Sequence, residues 1–562
     1  MDFKSIFNKI FTIKNREEYQ FTLPENYNEA KIVDNKENKN VDPKNIFPSI
    51  DVNMEYIKTR YNYLINSDII IREFTLNARN RQYKAFLLFI DGMVNTNLIN
   101  DYVLKPLMLR NNSNVYDGDQ DKVVSEVKTN NITIRKVKKF DILEYIFSCL
   151  LPENNVKQVS TFNEIINGVN SGDCALFIDT LNLAFDIDVK GFQQRTISTP
   201  QNETVIKGPQ EAFVENIRTN TSSLRRIINN EGLIIENVEV GNITKTKCEI
   251  CYIKDIANSD LVAEVEYRIN NIQVDSVLSS GELEQLISDS NDLAAPRVIS
   301  TERPDTVCRC LLEGRVAIIV NGTPFAIIMP ATMVDFLSSP EDINLKPIFS
   351  NFLRLIRLLG SVIILLVPGV YIAITSFHQE IFPTELLFSI LAARENVPFP
   401  ILLEIILMEV SFELIREAGL RLPSAMGFTV SIVGALVVGQ AAVDANLVSP
   451  PLVIIVAITA IASSSIPDFS FSFHLRLFRF IFILLGFIAG FLGISLGLFV
   501  YLCLFTNIKS FGLNTTTPFA PYVKAKGHKY FIPPIWQREY RPQYLDPKMS
   551  KSQDKISMKW RY

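Results

Sequence analysis

The chain has 562 residues, a formal net charge of −4 and 48% hydrophobic residues, enough for two or three domains. Its three histidines, His378, His474 and His528, all lie late in the chain, which excludes a Ser/His/Asp or Cys/His site from everything before them. No GxxxxGK[ST] phosphate loop occurs, so the polar part is not expected to be an enzyme, and no cofactor, metal or nucleic-acid partner is expected.

The mean hydropathy of +0.16 conceals a split. Polar and apolar residues alternate from Met1 to about Lys346, whereas Leu, Ile, Val, Phe, Gly and Ala dominate from Phe352 to Phe505. The remainder carries eleven Lys/Arg against only Glu539, Asp546 and Asp554. The expected fold is an α/β soluble region of two related βα…αββ subdomains, followed by an α-helical multi-span membrane domain.

Residues 1–45 form a Lys/Asn-rich leader, too charged for a signal peptide. The polar region is therefore expected on the cytoplasmic side, where thiols stay reduced. Phe3, Ile6, Phe7, Ile10 and Phe11 share one helical face beside Lys4, Lys9 and Lys14. That pattern suits a helix lying on a membrane surface or docked on the protein itself.

Residues 46–207 and 240–346 read as two α/β subdomains. "LLFIDGMVNTNLINDYV" (87–103) parallels "ICYIKDIANSDLVAEV" (250–265): an apolar strand, an Asn-containing turn, then an amphipathic helix. Asn95 or Thr96 caps the first helix, and Asn258 or Ser259 the second. "NSGDCALFIDTLNLAFDI" (170–187) parallels "LEGRVAIIVNGTPFAIIM" (312–329), each a strand, a tight turn and a second strand. Cys248-x-x-Cys251 falls within a strand-like run, so its thiols are expected to pack rather than to bind metal. Between the subdomains, 208–239 is a charged helical bridge. Its apolar Phe213, Val214 and Ile217 beside Glu211, Glu215, Arg218, Arg225 and Arg226 mark it as a candidate interface.

In the apolar region, 347–505, a membrane span needs about 20 apolar residues. Segments 352–375, 426–448 and 480–505 meet that length, while 400–415 and 452–466 are shorter, and 386–393 reads as an interfacial elbow. Arginine pairs at 354/357, 416/421 and 476/479 mark cytoplasmic turns. Strict alternation through five spans would place the basic tail, 506–562, outside, against its own charge. Four and five true spans both remain open. Gly486, Gly490, Gly493 and Gly497 recur at small spacings and read as one close-packing helix face.

Four stretches carry a family resemblance: "GPQEAFVENIRTNTSSLRRII", "STERPDTVCRCLLEGRVAIIVNGTPFAIIMP", "PTELLFSILAARENVPFPILLEIILMEVSFELIREAGLRLP" and "SIVGALVVGQAAV…SPP". Together they resemble the A subunit of spore germinant receptors, the GerA family, over roughly residues 50 to 520. The resemblance implies a multi-pass protein of the spore inner membrane that triggers germination when nutrients appear, with its N-terminal domain facing the spore core. It also implies partners: a transporter-like, nutrient-sensing B subunit, a lipoprotein C subunit, membrane lipid and further copies of the chain, which would oligomerise into an ion channel. A permease that itself moves a solute, and a non-conducting scaffold, stay open as alternatives.

On a helix, Val433, Val437, Gln440, Asp444 and Val448 form one stripe, the candidate pore lining. A second stripe of Gly434, Val438, Ala441 and Ala445 suits close packing instead. Glu404 and Glu409 are candidate intramembrane carboxylates, acting as hydrogen-bond acceptors or as a cation-attracting ring. Glu413 has Arg416 three residues on as an expected partner.

Overall fold

The computed structural model describes residues 45–78, 81–109, 142–153, 155–191, 200–289, 295–421, 434, 437–523 and 530–553. The leader helix lies outside them, as does Val433. Two five-stranded antiparallel sheets make up the α/β region. The first comprises β1 (Ile69–Ala78), β2 (Arg81–Ile90), β3 (Val156–Val159), β4 (Cys174–Ile178) and β5 (Ala184–Ile187). Its spatial order is β1-β2-β4-β5-β3. The second comprises β6 (Leu233–Val240), β7 (Thr246–Ile253), β8 (Ile299–Thr301), β9 (Val316–Val320) and β10 (Ala326–Met329), in the order β6-β7-β9-β10-β8. The two orders are the same. Each unit opens and closes on a hairpin, and its short third strand forms an edge.

Both faces of each sheet are covered, which is why the strands read as apolar runs. In β2, Leu87 and Phe89 point into one cluster with Ile99 and Val103. Phe86 and Leu88 point the other way, onto Ile57 and Phe162. Ile57 belongs to α1 (Ile50–Arg60) and Phe162 to α2 (Phe162–Asn170). Burial of each such side chain stabilises the fold by about 1.5–3 kcal/mol. Asn95 caps its helix by accepting from Asn97 N at 3.0 Å, and Asn258 does so from Asp260 N at 2.8 Å. The closing hairpins turn through positive φ at equivalent points, Thr180 (72°) and Gly322 (91°). Cys248 enters one core of the second unit and Cys251 the other, because three residues along a strand reverse the face.

Between the sheets lies α3 (Ile217–Ile227), shorter than the expected bridge and capped by Asn216. The second unit adds α4 (Ser259–Asn270), α5 (Ser280–Ile287) and α6 (Pro304–Glu313). The apolar region then comprises α7 (Pro347–Phe377), α8 (Thr384–Arg394), α9 (Ile401–Arg421), helical residues 437–444, α10 (Pro450–Ser464) and α11 (Phe469–Thr506). By length and composition, α7 and α11 could each cross a membrane.

One straight span at 480–505 is overturned. Gly490 has φ 58° and ψ −140°, which no helix contains. His474 Nε2 lies 3.2 Å from the Tyr501 hydroxyl, 27 residues along the chain. A continuous helix would hold those residues about 40 Å apart. Phe471 and Phe505 also meet, with ring centroids at 6.4 Å. So α11 is a helical hairpin folded at Gly490, and its tip packs on Phe377 and His378 at the end of α7.

Beyond the hairpin the chain returns to the α/β region. Phe511 is buried in the core of the second unit, with the Arg268 guanidinium 4.3 Å above its ring. Phe511 N donates to Asp289 at 2.9 Å, Met333 N donates to Thr515 O at 2.7 Å, and Lys548 N donates to Ile256 O at 3.0 Å. Arg354, at the start of α7, bonds both Asp342 Oδ2 at 2.9 Å and Tyr530 O at 2.7 Å. Basic composition concealed a segment that packs.

Candidate functional site

Three carboxylates of α9, Glu404, Glu409 and Glu413, each meet a guanidinium from another helix, while the exposed Glu417 pairs with Arg421 of α9 itself. Glu404 has no exposed side-chain surface; it accepts from Arg394 of α8 at 3.2 Å and from Ser449 N at 3.1 Å. Glu409, 1% exposed, pairs with Arg479 of α11 at 2.7 Å. Glu413 pairs with Arg476 and Arg479. Its expected partner Arg416 turns instead to Ser463 of α10. The i,i+3 spacing yields here because two arginines of α11 lie across from Glu413 at closer range.

Three of the five residues of the pore stripe share an exposed face. Val437 is 57% exposed, Gln440 and Asp444 are exposed, and Gln440 Nε2 donates to Asp444 Oδ1 at 3.0 Å. Val448 departs from the stripe. The helix ends after Asp444, Asn446 takes φ 54°, and Val448 is buried against Leu452, Val456 and Ile405. The inward face is Gly439 and Ala442, where Gly439 leaves room for Val453. Val438, Ala441 and Ala445, from the second stripe, are exposed.

The four glycines do not share one face. Gly486 crosses Gly369 of α7 so closely that a Cβ on it would sit 2.5 Å from the Gly369 carbonyl oxygen. Gly493 and Gly497 lie against Leu485 in the other arm of α11, and Gly490 is the turn.

The bridge joins the two α/β units through charge. Arg225, 2% exposed, donates twice to Asp68 at 2.8 Å and once to Asn66 at 3.1 Å. Asn66 also accepts from Ile235 N of β6 at 2.8 Å. Arg218 reaches Asp91 of the first unit at 3.4 Å and Glu249 of the second at 3.3 Å. Arg226 pairs with Glu211, and the Glu215 carbonyl accepts from Gly322 N. Glu249 is 2% exposed and its carboxyl is raised to about 7. Burial causes the rise and outweighs Arg218, whose side chain is 36% exposed. Sequence reading missed Asp68 and Asn66, which lie more than 150 residues from Arg225, and Glu249, which lies 31 from Arg218; no local pattern marks pairings at those separations.

These features define a polar α/β region, locked by a buried ion pair, joined to apolar helices whose buried carboxylates Glu404 and Glu409 are paired with arginines. Residues 55–544 match the family model described as Bacillus/Clostridium GerA spore germination protein. The chain belongs to that family. Spore germination protein KA of Bacillus subtilis (strain 168) is 39% identical over 506 residues, covering 89% of this chain and 87% of that protein. A Bacillus subtilis relative described as the uncharacterized membrane protein YfkQ is 34% identical, over 85% of this chain and 88% of its own length. The N-terminal domain of the A subunit of the Bacillus megaterium spore germinant receptor GerK3, a crystal structure, aligns over 51% of this chain and 97% of that one. There the identity is 33% and the TM-score 0.37.

Proposed function

We propose that this chain is the A-type membrane subunit of a nutrient receptor that triggers spore germination, and that copies of it assemble into a nutrient-gated ion channel. It acts beside a transporter-like B subunit and a lipoprotein C subunit, in the spore inner membrane. Membership of the GerA family supports the role in germination, and the membrane helices support the location.

The observation that carries the channel reading is the exposed Val437, Gln440 and Asp444 face. A carboxylate at the centre of a membrane helix costs about 2.5–3.5 kcal/mol on insertion scales, and one at the helix end, as Asp444 is, costs less. Water in a pore, or another copy of the chain, removes that cost. The buried carboxylates of this region, Glu404 and Glu409, are consumed by Arg394 and Arg479 and favour a structural role over a cation ring.

The Gly490 hairpin supports an even number of crossings. Its two arms, 469–489 and 491–506, are read as a pair of crossings that bring the chain back to the side it left. The tail then returns to the side of the α/β region, with which it packs. That side is the spore core in this reading. The shared strand order of the two sheets supports reading them as related subdomains.

Conductance tests the proposal. The purified chain in planar bilayers should pass ions, and Val437→Ala should raise the leak and cause nutrient-independent germination in spores. A Val437→Ala protein with unchanged conductance and normal dormancy would remove this helix from the pore.

A further inference from the structure

A cavity of about 260 Å³ lies where the α/β region meets the helices, lined by residues of α6, the start of α7 and the turn between α10 and α11. Its unused polar groups are donors. Thr306, on the first turn of α6, is 6% exposed, and its hydroxyl has no partner among the described residues. Arg309, one turn on, is attracted by the carboxylates of Glu313 and Asp335 but forms no direct hydrogen bond or close ion pair among the described residues. Arg357 of α7 bonds Asp342 and Leu337 O through Nη1 alone.

The acids lining the cavity are committed elsewhere. Asp335 takes both bonds of the Arg315 fork, at 2.8 and 2.9 Å. Asp468 caps α11 by accepting from Phe471 N at 2.7 Å, and Glu203 accepts from the Thr301 hydroxyl. The cavity thus presents the Arg309 and Arg357 guanidinium groups and the Thr306 hydroxyl beside carboxylates that are already hydrogen-bonded. Planar guanidinium forks fit the paired oxygens of an oxyanion. The volume far exceeds the roughly 30 Å³ of one water. It falls below the roughly 300–1,000 Å³ usual for drug-sized ligands, so the occupant is small.

We propose that this cavity binds a small oxyanion through Thr306, Arg309 and Arg357, either a free phosphate or carboxylate ion or the phosphate of a lipid head group. Occupancy ties α6 of the α/β region to the start of α7, which makes the site a clamp between the two halves.

Thermal unfolding of the full-length protein in detergent tests it, with potassium phosphate or potassium acetate against potassium chloride at matched ionic strength. A saturable rise in Tm is expected in the wild type, lost in Arg309→Gln and weakened in Thr306→Val, but retained in Arg541→Gln of the tail. The same measurement with phosphatidylglycerol, against a lipid lacking phosphate, separates the sources. A response to phosphatidylglycerol alone assigns the site to a head group, and a response to the free ions assigns it to a soluble anion. If Arg309→Gln fails to fold, Thr306→Val and Arg309→Lys carry the test, since each keeps the local volume. No response to any of the three probes, or equal responses in the wild type and in the variants of Thr306 and Arg309, overturns the site.

Discussion

The α/β region and the helical region both bury ion pairs, but they use them differently. Arg225 and Asp68 sit at the junction of two sheets whose cores are otherwise apolar, so the pair acts as a lock between finished units. Arg479 and Glu409 sit among helices, where the pair fixes which helix lies beside which. Apolar strands covered on both faces build the first region, and its charges orient the parts. In the second, apolar residues occur all round the helices, so hydrophobicity says little about neighbours and buried charge supplies the specificity.

Breaking the lock should give the largest effect. Arg225→Met leaves the Asp68 carboxylate buried without its partner, and removal of one member of such a pair costs about 3–5 kcal/mol. Denaturant unfolding of the full-length protein, followed by hydrogen exchange at the β1 and β6 amides, should show that loss. The double variant Arg225→Met with Asp68→Leu should recover a good part of it. If the single variant is as stable as the wild type, the two units are held by apolar contacts alone.

The bridge also makes the α/β region sensitive to pH through Glu249. Its folded carboxyl, raised to about 7 by burial, binds a proton that the unfolded chain releases near 4.5. The folded state therefore holds more protons between those values, and stability falls as pH rises from about 4.5 through about 7. Glu203, likewise raised to about 7 by burial, acts in the same direction. At 1.36 kcal/mol per unit, Glu249 contributes at most roughly 3–4 kcal/mol of the change. Glu249→Gln should flatten the exchange-derived stability of β7 between pH 5 and 8. An unchanged slope in that variant would assign the pH response elsewhere.

Local pattern made part of this legible. Apolar runs and turn chemistry pointed to β2, β4, β5, β7, β9 and β10, to the caps Asn95 and Asn258, and to the turns at 180 and 322. The outer strands escaped: β3 and β8 are only four and three residues long, while β1 and β6, at ten and eight residues, mix charged and polar residues into their apolar runs. The hairpin in α11 escaped because four glycines in an apolar run read equally as a packing face; only φ at one of them decides. The partners of Glu404, Glu409 and Arg225 lie 10, 70 and 157 residues away, and no spacing rule reaches the last two.

Two glycines put the comparison between regions on the smallest scale. Gly490 pairs φ 58° with ψ −140°, a combination reserved for glycine, and a Cβ there would meet His378 Cε1 at 2.9 Å. Gly490→Ala should cost about 1–3 kcal/mol in backbone strain alone and expose the tail, read as faster proteolysis after residue 506. Gly322 also has positive φ, at 91°, yet nothing lies within 4 Å of its missing Cβ. Gly322→Ala should therefore carry only the left-handed penalty of roughly 1–2 kcal/mol and leave the helices untouched. Both effects can be read from thermal unfolding of the full-length protein. Should Gly322→Ala prove the more damaging, the hairpin tip must relax freely, and Gly490 would be a convenience of the turn rather than its cause.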